Sequence, residues 1–148
     1  MKDRTAYLRC RSCKTVNRLP AERLIDRPRC GKCRSALEFP RTPVEVTAAT
    51  FDEEVLQWPG SVLVEFWSPR CSVCDAIAPF LEHLARREAG VLKVAKINIE
   101  RELLLANRFD ILSTPVFVVY RNGVRINELY GALPKAQMEA WIESSVSG

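Results

Sequence analysis

Trp67-Ser68-Pro69-Arg70-Cys71-Ser72-Val73-Cys74 decides how the rest of the chain is read. The stretch follows an apolar run, Val62 to Trp67, and opens a segment with helical spacing. A Cys-x-x-Cys placed where a strand hands over to a helix has the outline of a redox site. Its first sulfur sits at the helix N-terminus, where unpaired backbone N–H groups and the helix dipole favour an anion. Its second lies one turn further in, close enough to close a small disulfide ring.

Working outward, Val62 to Trp67 reads as a buried central strand that carries one carboxylate, Glu65. Ile77, Phe80, Leu81 and Leu84 fall at helical spacing, which predicts a helix from about Cys71 to Glu88, kinked at Pro79. Upstream, Val44-Glu45-Val46 reads as a short strand. Thr50 and Glu53 have capping-box spacing for a short helix that runs to Gln57 and stops at Trp58-Pro59-Gly60. Downstream, Val91 to Ile99 reads as a strand, residues 100–107 as a helix with acids near its start, and Val116 to Tyr120 as a second buried strand. Arg121-Asn122-Gly123 signals a hairpin, Val124 to Tyr130 the returning strand, and Pro134 the first turn of a last helix reaching Val146. The order β-α-β-α-β-α-β-β-α predicts an α/β fold: a mixed sheet, parallel early and antiparallel late, with helices on both faces.

The whole chain has 148 residues, 47% hydrophobic and 27% charged, enough for one core and a small appendage. No apolar run approaches the roughly 20 residues of a membrane helix. Met1-Lys2-Asp3-Arg4 is polar and lacks the apolar stretch of a signal peptide, so the expected location is the cytoplasm and no membrane partner is expected. All six cysteines fall in Cys-x-x-Cys pairs. In a reducing compartment that pattern favours metal binding and redox catalysis over a disulfide framework.

Cys10/Cys13 and Cys30/Cys33, separated by sixteen residues, match the spacing of a two-knuckle zinc site. Two residues between cysteines let both sulfurs face one ion, and two such knuckles complete a tetrahedron. Gly31 sits inside the second knuckle, where a positive φ would be cheap. Val16, Leu19, Leu24, Ile25, Leu37 and Phe39 are too few to fold this segment unaided, so one structural zinc ion is expected to supply the missing stability. Residues 1–43 hold twelve Lys/Arg and four Asp/Glu, a balance of +8, whereas residues 44–148 balance to −4. A four-thiolate zinc centre carries −2, which accounts for part of the basic excess. Tyr7 and Phe39 are the only aromatics there, so bases have little to stack on and nucleic acid is not expected as a partner. The two prolines of Pro40-Arg41-Thr42-Pro43 mark a linker. The expected organisation is a zinc-binding ribbon over 1–40, a linker over 41–43 and the α/β domain over 44–148.

On these residues, 44–148 resembles thioredoxin, and the whole chain resembles the zinc-binding thioredoxin 2 type, which carries two Cys-x-x-Cys pairs ahead of the fold. The matching marks are Glu65-Phe66-Trp67, Cys71/Cys74, Pro79, Lys96, Thr114-Pro115, Asn122-Gly123 and Gly131. The resemblance implies a thioredoxin fold and a protein-disulfide reductase. Cys71 would be the exposed attacking thiolate and Cys74 the buried resolving thiol. Thr114-Pro115 would be a cis peptide facing both sulfurs. Glu65 would stand where the family has a buried aspartate that assists proton removal from the resolving cysteine, under the influence of Lys96, with Trp67 packed beside the site. The resemblance further implies recharging by an NADPH-dependent thioredoxin reductase. No Gly-rich phosphate loop is present, so no bound organic cofactor is expected.

The chain departs from the family pattern at the site itself. Arg70 replaces the usual tryptophan before the first cysteine, and Ser72-Val73 replaces Gly-Pro between the two. A cation next to Cys71 is expected to favour its thiolate and make the disulfide more oxidising. The competing readings are an isomerase or oxidant on the same scaffold, a zinc-linked redox sensor, and a nucleic-acid- or protein-binding module built on the basic ribbon. His83 reads as a surface helix residue, and Trp58 and Trp141 as packing residues.

Overall fold

The computed structural model describes residues 4–147; the polar start Met1 to Asp3 lies outside the described residues. Two sheets form. The first is an antiparallel hairpin of β1 (Thr5–Arg9) and β2 (Val16–Pro20), followed by a 3₁₀ helix, Ala21–Asp26. The second has five strands in the order β3-β5-β4-β6-β7: β3 (Val44–Glu45), β4 (Ser61–Trp67), β5 (Leu92–Asn98), β6 (Val116–Arg121) and β7 (Val124–Tyr130). β3, β4 and β5 run parallel, and β6 and β7 are antiparallel to their neighbours. The expected mixed sheet is therefore present. Among the described residues no helix is long and apolar enough to cross a membrane.

The alternation of side chains along β4 divides the core. Val62, Val64 and Phe66 point to a face shared with Ala95, Ile97, Val116, Val118, Phe51, Val55 and Leu105. Leu63 points to the opposite face, covered by α1 (Ser72–Arg87) and α3 (Lys135–Ser147) through Ile77, Leu81, Leu84, Met138 and Ile142. Glu65 shares the parity of Leu63 and so lies under α1. Its near-complete burial, at 1% exposed, follows from that position.

Two local expectations fail for identifiable reasons. Thr50 does not cap an α-helix. Its Oγ1 instead accepts from Thr47 N at 2.9 Å, and Asp52–Leu56 winds as a π-turn closed by Gln57 N donating to Asp52 O at 2.8 Å. The helix expected over 100–107 begins only at Leu103, as α2 (Leu103–Arg108). Asn98 Oδ1 accepts from Glu100 N at 2.9 Å and holds residues 98–101 in a turn, while Glu102 Oε1 is engaged by Ala48 N at 2.8 Å.

The small sheet docks against the edge of the large one from which β4 starts. Leu24 and Phe39 close over Gly90, where an added Cβ would lie 2.8 Å from Leu24 Cδ1, and Val91 joins the cluster of Ala6, Leu8, Cys10, Cys30 and Leu37. Arg9 Nη1 donates to Gln57 O at 2.8 Å, and Arg4 pairs with the buried Glu88. Val16 and Ile25, expected in the ribbon core, are 44% and 85% exposed, and Ala6 and Leu8 take their place. At the same pole the Asn122-Gly123 hairpin has φ of 50° and 79°, the two positive values of a type I′ turn, and Asn122 Oδ1 accepts from Gly60 N. The other pole, at the end of β4, is about 20 Å away along seven strand residues.

Candidate active site and metal centre

β4 ends at Trp67, residues 68–71 form the connection, and Cys71 is the N-cap of the 16-residue α1, with φ −102° and ψ 107°. Cys71 and Cys74 are joined as a disulfide with their Cα atoms 5.2 Å apart. Cys71 Sγ also accepts the Cys74 backbone N–H at 3.0 Å. That N–H and the helix N-terminus would stabilise a thiolate on this sulfur once the bond is reduced. Cys71 is half-buried whereas Cys74 is 4% exposed, so an incoming group reaches the first sulfur and not the second.

β6 runs antiparallel to β4 with Phe66 opposite Val116, which carries the residue before Val116 to the same pole. That residue is Pro115, and Thr114–Pro115 is cis. Gly131 N donates to Pro115 O at 2.8 Å and ties the loop to the end of β7.

Glu65 and Lys96 are in register on adjacent parallel strands. Burial pushes the Glu65 carboxyl up to about 7, against the opposing pull of Lys96 and with a smaller upward push from Glu45. Among the described residues its Oε2 has no hydrogen-bond partner. Lys96 Nζ sits 4.6 Å from the centre of the Trp67 ring. Trp67 Nε1 makes no hydrogen bond of standard geometry, yet its N–H lies close enough to Glu45 to favour the ionised form there. Glu45 was absent from the sequence-predicted set, because only the pairing register of β3 with β5 brings it to Lys96.

Arg70 has an acidic neighbour. Its side chain is 87% exposed, and Nε lies 3.5 Å from Glu100 Oε2, an oxygen that also accepts from Ser68 Oγ at 2.7 Å. The cation from which an oxidising push on the disulfide is expected thus has a carboxylate of the 98–101 turn within ion-pair distance. Ser68 and Glu100 had no signal in the sequence, since the turn that meets them belongs to the neighbouring strand. His83 is exposed on α1, as expected.

At the opposite pole the four sulfurs of Cys10, Cys13, Cys30 and Cys33 lie within 4.8 Å of one another. Cys10–Cys33 and Cys13–Cys30 are 3.5 and 3.6 Å apart. A tetrahedron with bonds of about 2.3 Å has edges of roughly 3.8 Å, so the donor set fits one tetrahedral metal ion. The two knuckles are built alike. Cys10 N donates to Thr15 O and Cys30 N to Ser35 O, both at 2.8 Å, and Cys13 and Cys33 face the hydroxyls of Thr15 and Ser35. The positive φ falls on Lys14 (68°) and Arg34 (70°), one residue beyond each knuckle, rather than on Gly31. Gly31 instead donates its N–H to Asn17 Oδ1 at 2.8 Å, and Asn17 Nδ2 faces Cys30 Sγ at 3.5 Å. The Cys30 thiol is lowered to about 6, first by the Cys33 backbone N–H and then by the Asn17 amide, as suits a metal ligand.

Comparison with known proteins agrees with both sites. Residues 42–144 match the family described as thioredoxin, and residues 9–35 match the one described as thioredoxin 2, N-terminal. Thioredoxin 1 of a Nostoc species is 33% identical over 67% of this chain and 92% of its own length. Thioredoxin C-3 of Corynebacterium nephridii is 29% identical over 93% of both. A solved mutant thioredoxin from Halobacterium salinarum superposes with a TM-score of 0.65 at 26% identity, over 74% of this chain and 95% of that one. The Cys71–Cys74 pair fits the family's active-site motif, and the cluster of four N-terminal cysteines, together with the ribbon match, suggests a structural metal. The chain belongs to the thioredoxin family, in the form with a thioredoxin 2 ribbon ahead of the fold, and is a thiol–disulfide oxidoreductase that reduces protein disulfides with electrons from a reductase partner.

Proposed function

We propose that residues 44–148 work as the catalytic unit, with residues 1–40 as a zinc ribbon and 41–43 as the linker. Cys71 thiolate attacks a substrate disulfide, forming a mixed disulfide and releasing one substrate sulfur as a thiolate. Cys74 loses its proton and attacks Cys71 Sγ. The second substrate thiolate leaves, and the electron pair passes from the dithiol to the substrate while the Cys71–Cys74 bond closes. Glu65 is the acceptor for the Cys74 proton. Its burial under α1 and its carboxyl near 7 support that role, because a base poised near neutrality both takes and returns a proton. Lys96 moderates Glu65, Trp67 walls the site, and the cis Pro115 loop guides an extended substrate strand. The single observation that carries the reading is a disulfide at the β4–α1 junction with one accessible and one buried sulfur.

Zinc is the ion we assign to Cys10, Cys13, Cys30 and Cys33; when bound it supplies cross-linking of the two knuckles. An NADPH-dependent thioredoxin reductase is the assigned electron donor, and the cytoplasm the assigned compartment. The test is the equilibrium reduction potential of Cys71–Cys74 in zinc-loaded protein. A value near about −270 mV is expected of a cytosolic reductase of this family, whereas about −180 mV or higher belongs to an oxidant or isomerase and would overturn the assignment.

A further inference from the structure

β3 has two residues, yet its register puts an ionisable side chain into the buried machinery. Glu45 pairs with Lys96 on β5, and Lys96 pairs with Glu65 on β4. Residues in register on adjacent strands project from the same face, with strands about 4.8 Å apart. One ammonium thus stands between two carboxylates, in a row that runs from solvent-exposed Glu45 through half-buried Lys96 to buried Glu65. From the segment after β5, Arg101 and Glu102 also act on Glu45, with opposite signs, so they largely offset each other at the solvent end of the row. β6 contributes Phe117 to the row, and the first turns of α1 bury Cys74 and Ile77 while Asp75 stays exposed. Lys96 is further held over the Trp67 ring, so it is anchored between the two acids.

We infer that Glu45 is a positioning residue for the redox reaction: by sharing Lys96 it withholds part of the ammonium charge from Glu65 and so sets the pH at which the resolving step runs. The inference rests on Glu65 being the proton acceptor. Charge at Glu45 repels charge at Glu65 directly and offsets part of the Lys96 charge that would support it, and both effects keep the Glu65 proton on to higher pH. Partial burial raises the Glu45 carboxyl itself, with Lys96 and the Trp67 N–H opposing.

The test compares the intact chain with Glu45→Gln and Glu65→Gln. Two quantities are followed from pH 5 to 9: the rate of insulin disulfide reduction by the pre-reduced protein, and the side-chain carboxyl ¹³C shift of Glu65. Glu45→Gln should move the midpoint of the Glu65 titration, and of the acid limb of the rate profile, down by about 0.5 to 1 pH unit. The displacement should shrink in 1 M salt, because Glu45 is the solvent end of the row. Midpoints that stay put or move upward in Glu45→Gln, while Glu65→Gln abolishes the limb, overturn the inference and leave Glu65 as acceptor. A limb that survives in Glu65→Gln overturns the acceptor assignment and the inference with it.

Discussion

Replacing Glu65 by glutamine should make the protein more stable at pH 8 than at pH 5, relative to the parent. The reason is a carboxyl buried to 1% exposure, with Oε2 unpaired among the described residues and Lys96 supporting its charge. Folding raises it from an ordinary 4.5 to about 7. Between those values the unfolded chain has released this proton while the native state keeps it, so stability falls as pH rises through that window. At 1.36 kcal/mol per pKa unit the loss amounts to about 3 kcal/mol, complete above roughly pH 7 and absent below about pH 4.5. Glutamine cannot ionise, so the variant is spared this loss, and any cost of its own unpaired amide is the same at every pH. Urea unfolding of the oxidised, metal-loaded proteins, followed by circular dichroism, measures the difference directly. With a slope of about 1–3 kcal/mol per molar, the midpoint of the variant relative to the parent should rise by about 1–3 M between pH 5 and pH 8. Metal-ligand titration in the ribbon is common to both proteins and cancels. An equal midpoint difference at both pH values would mean that Glu65 ionises normally, and the buried-acceptor argument would collapse.

Two further outcomes follow from the geometry. Glu100→Gln removes the carboxylate that engages Arg70 and Ser68, so the Arg70 cation should act more strongly on Cys71. The thiolate absorbance near 240 nm should then titrate a few tenths of a pH unit lower, and an unchanged titration would mean that Arg70 does not reach the sulfur. Removing the metal with a chelator should unfold the ribbon hairpin and expose Gly90 and Val91, seen as loss of amide protection across 88–93, while the disulfide pole about 20 Å away keeps its protection. Retained protection at 88–93 would show that the ribbon docks without metal.

Much of this was legible in the chain because the signals are local. Cys71 at a helix start, Cys74 one turn inside, the Asn122-Gly123 turn and the two metal knuckles each depend on neighbours within a few residues. The thioredoxin resemblance added Thr114–Pro115, Glu65 and Lys96 as expected site residues; in the structure Glu65 and Lys96 are in register on adjacent strands and Thr114–Pro115 is a cis peptide. Local rules failed where a competing side-chain-to-backbone hydrogen bond claimed the same residues. Thr50 turned back to Thr47, and Asn98 delayed α2.

Sequence by itself determined the alternation of strands and helices, the chemistry of the six sulfurs and the asymmetry of charge, since all of these are properties of residue type and spacing. Tertiary structure alone decided which charges meet. Strand register aligned Glu45, Lys96 and Glu65, the 98–101 turn delivered Glu100 to Arg70, and docking set the ribbon at the pole away from the disulfide. Electrostatic coupling depends on distance and burial, and neither is written in the order of residues.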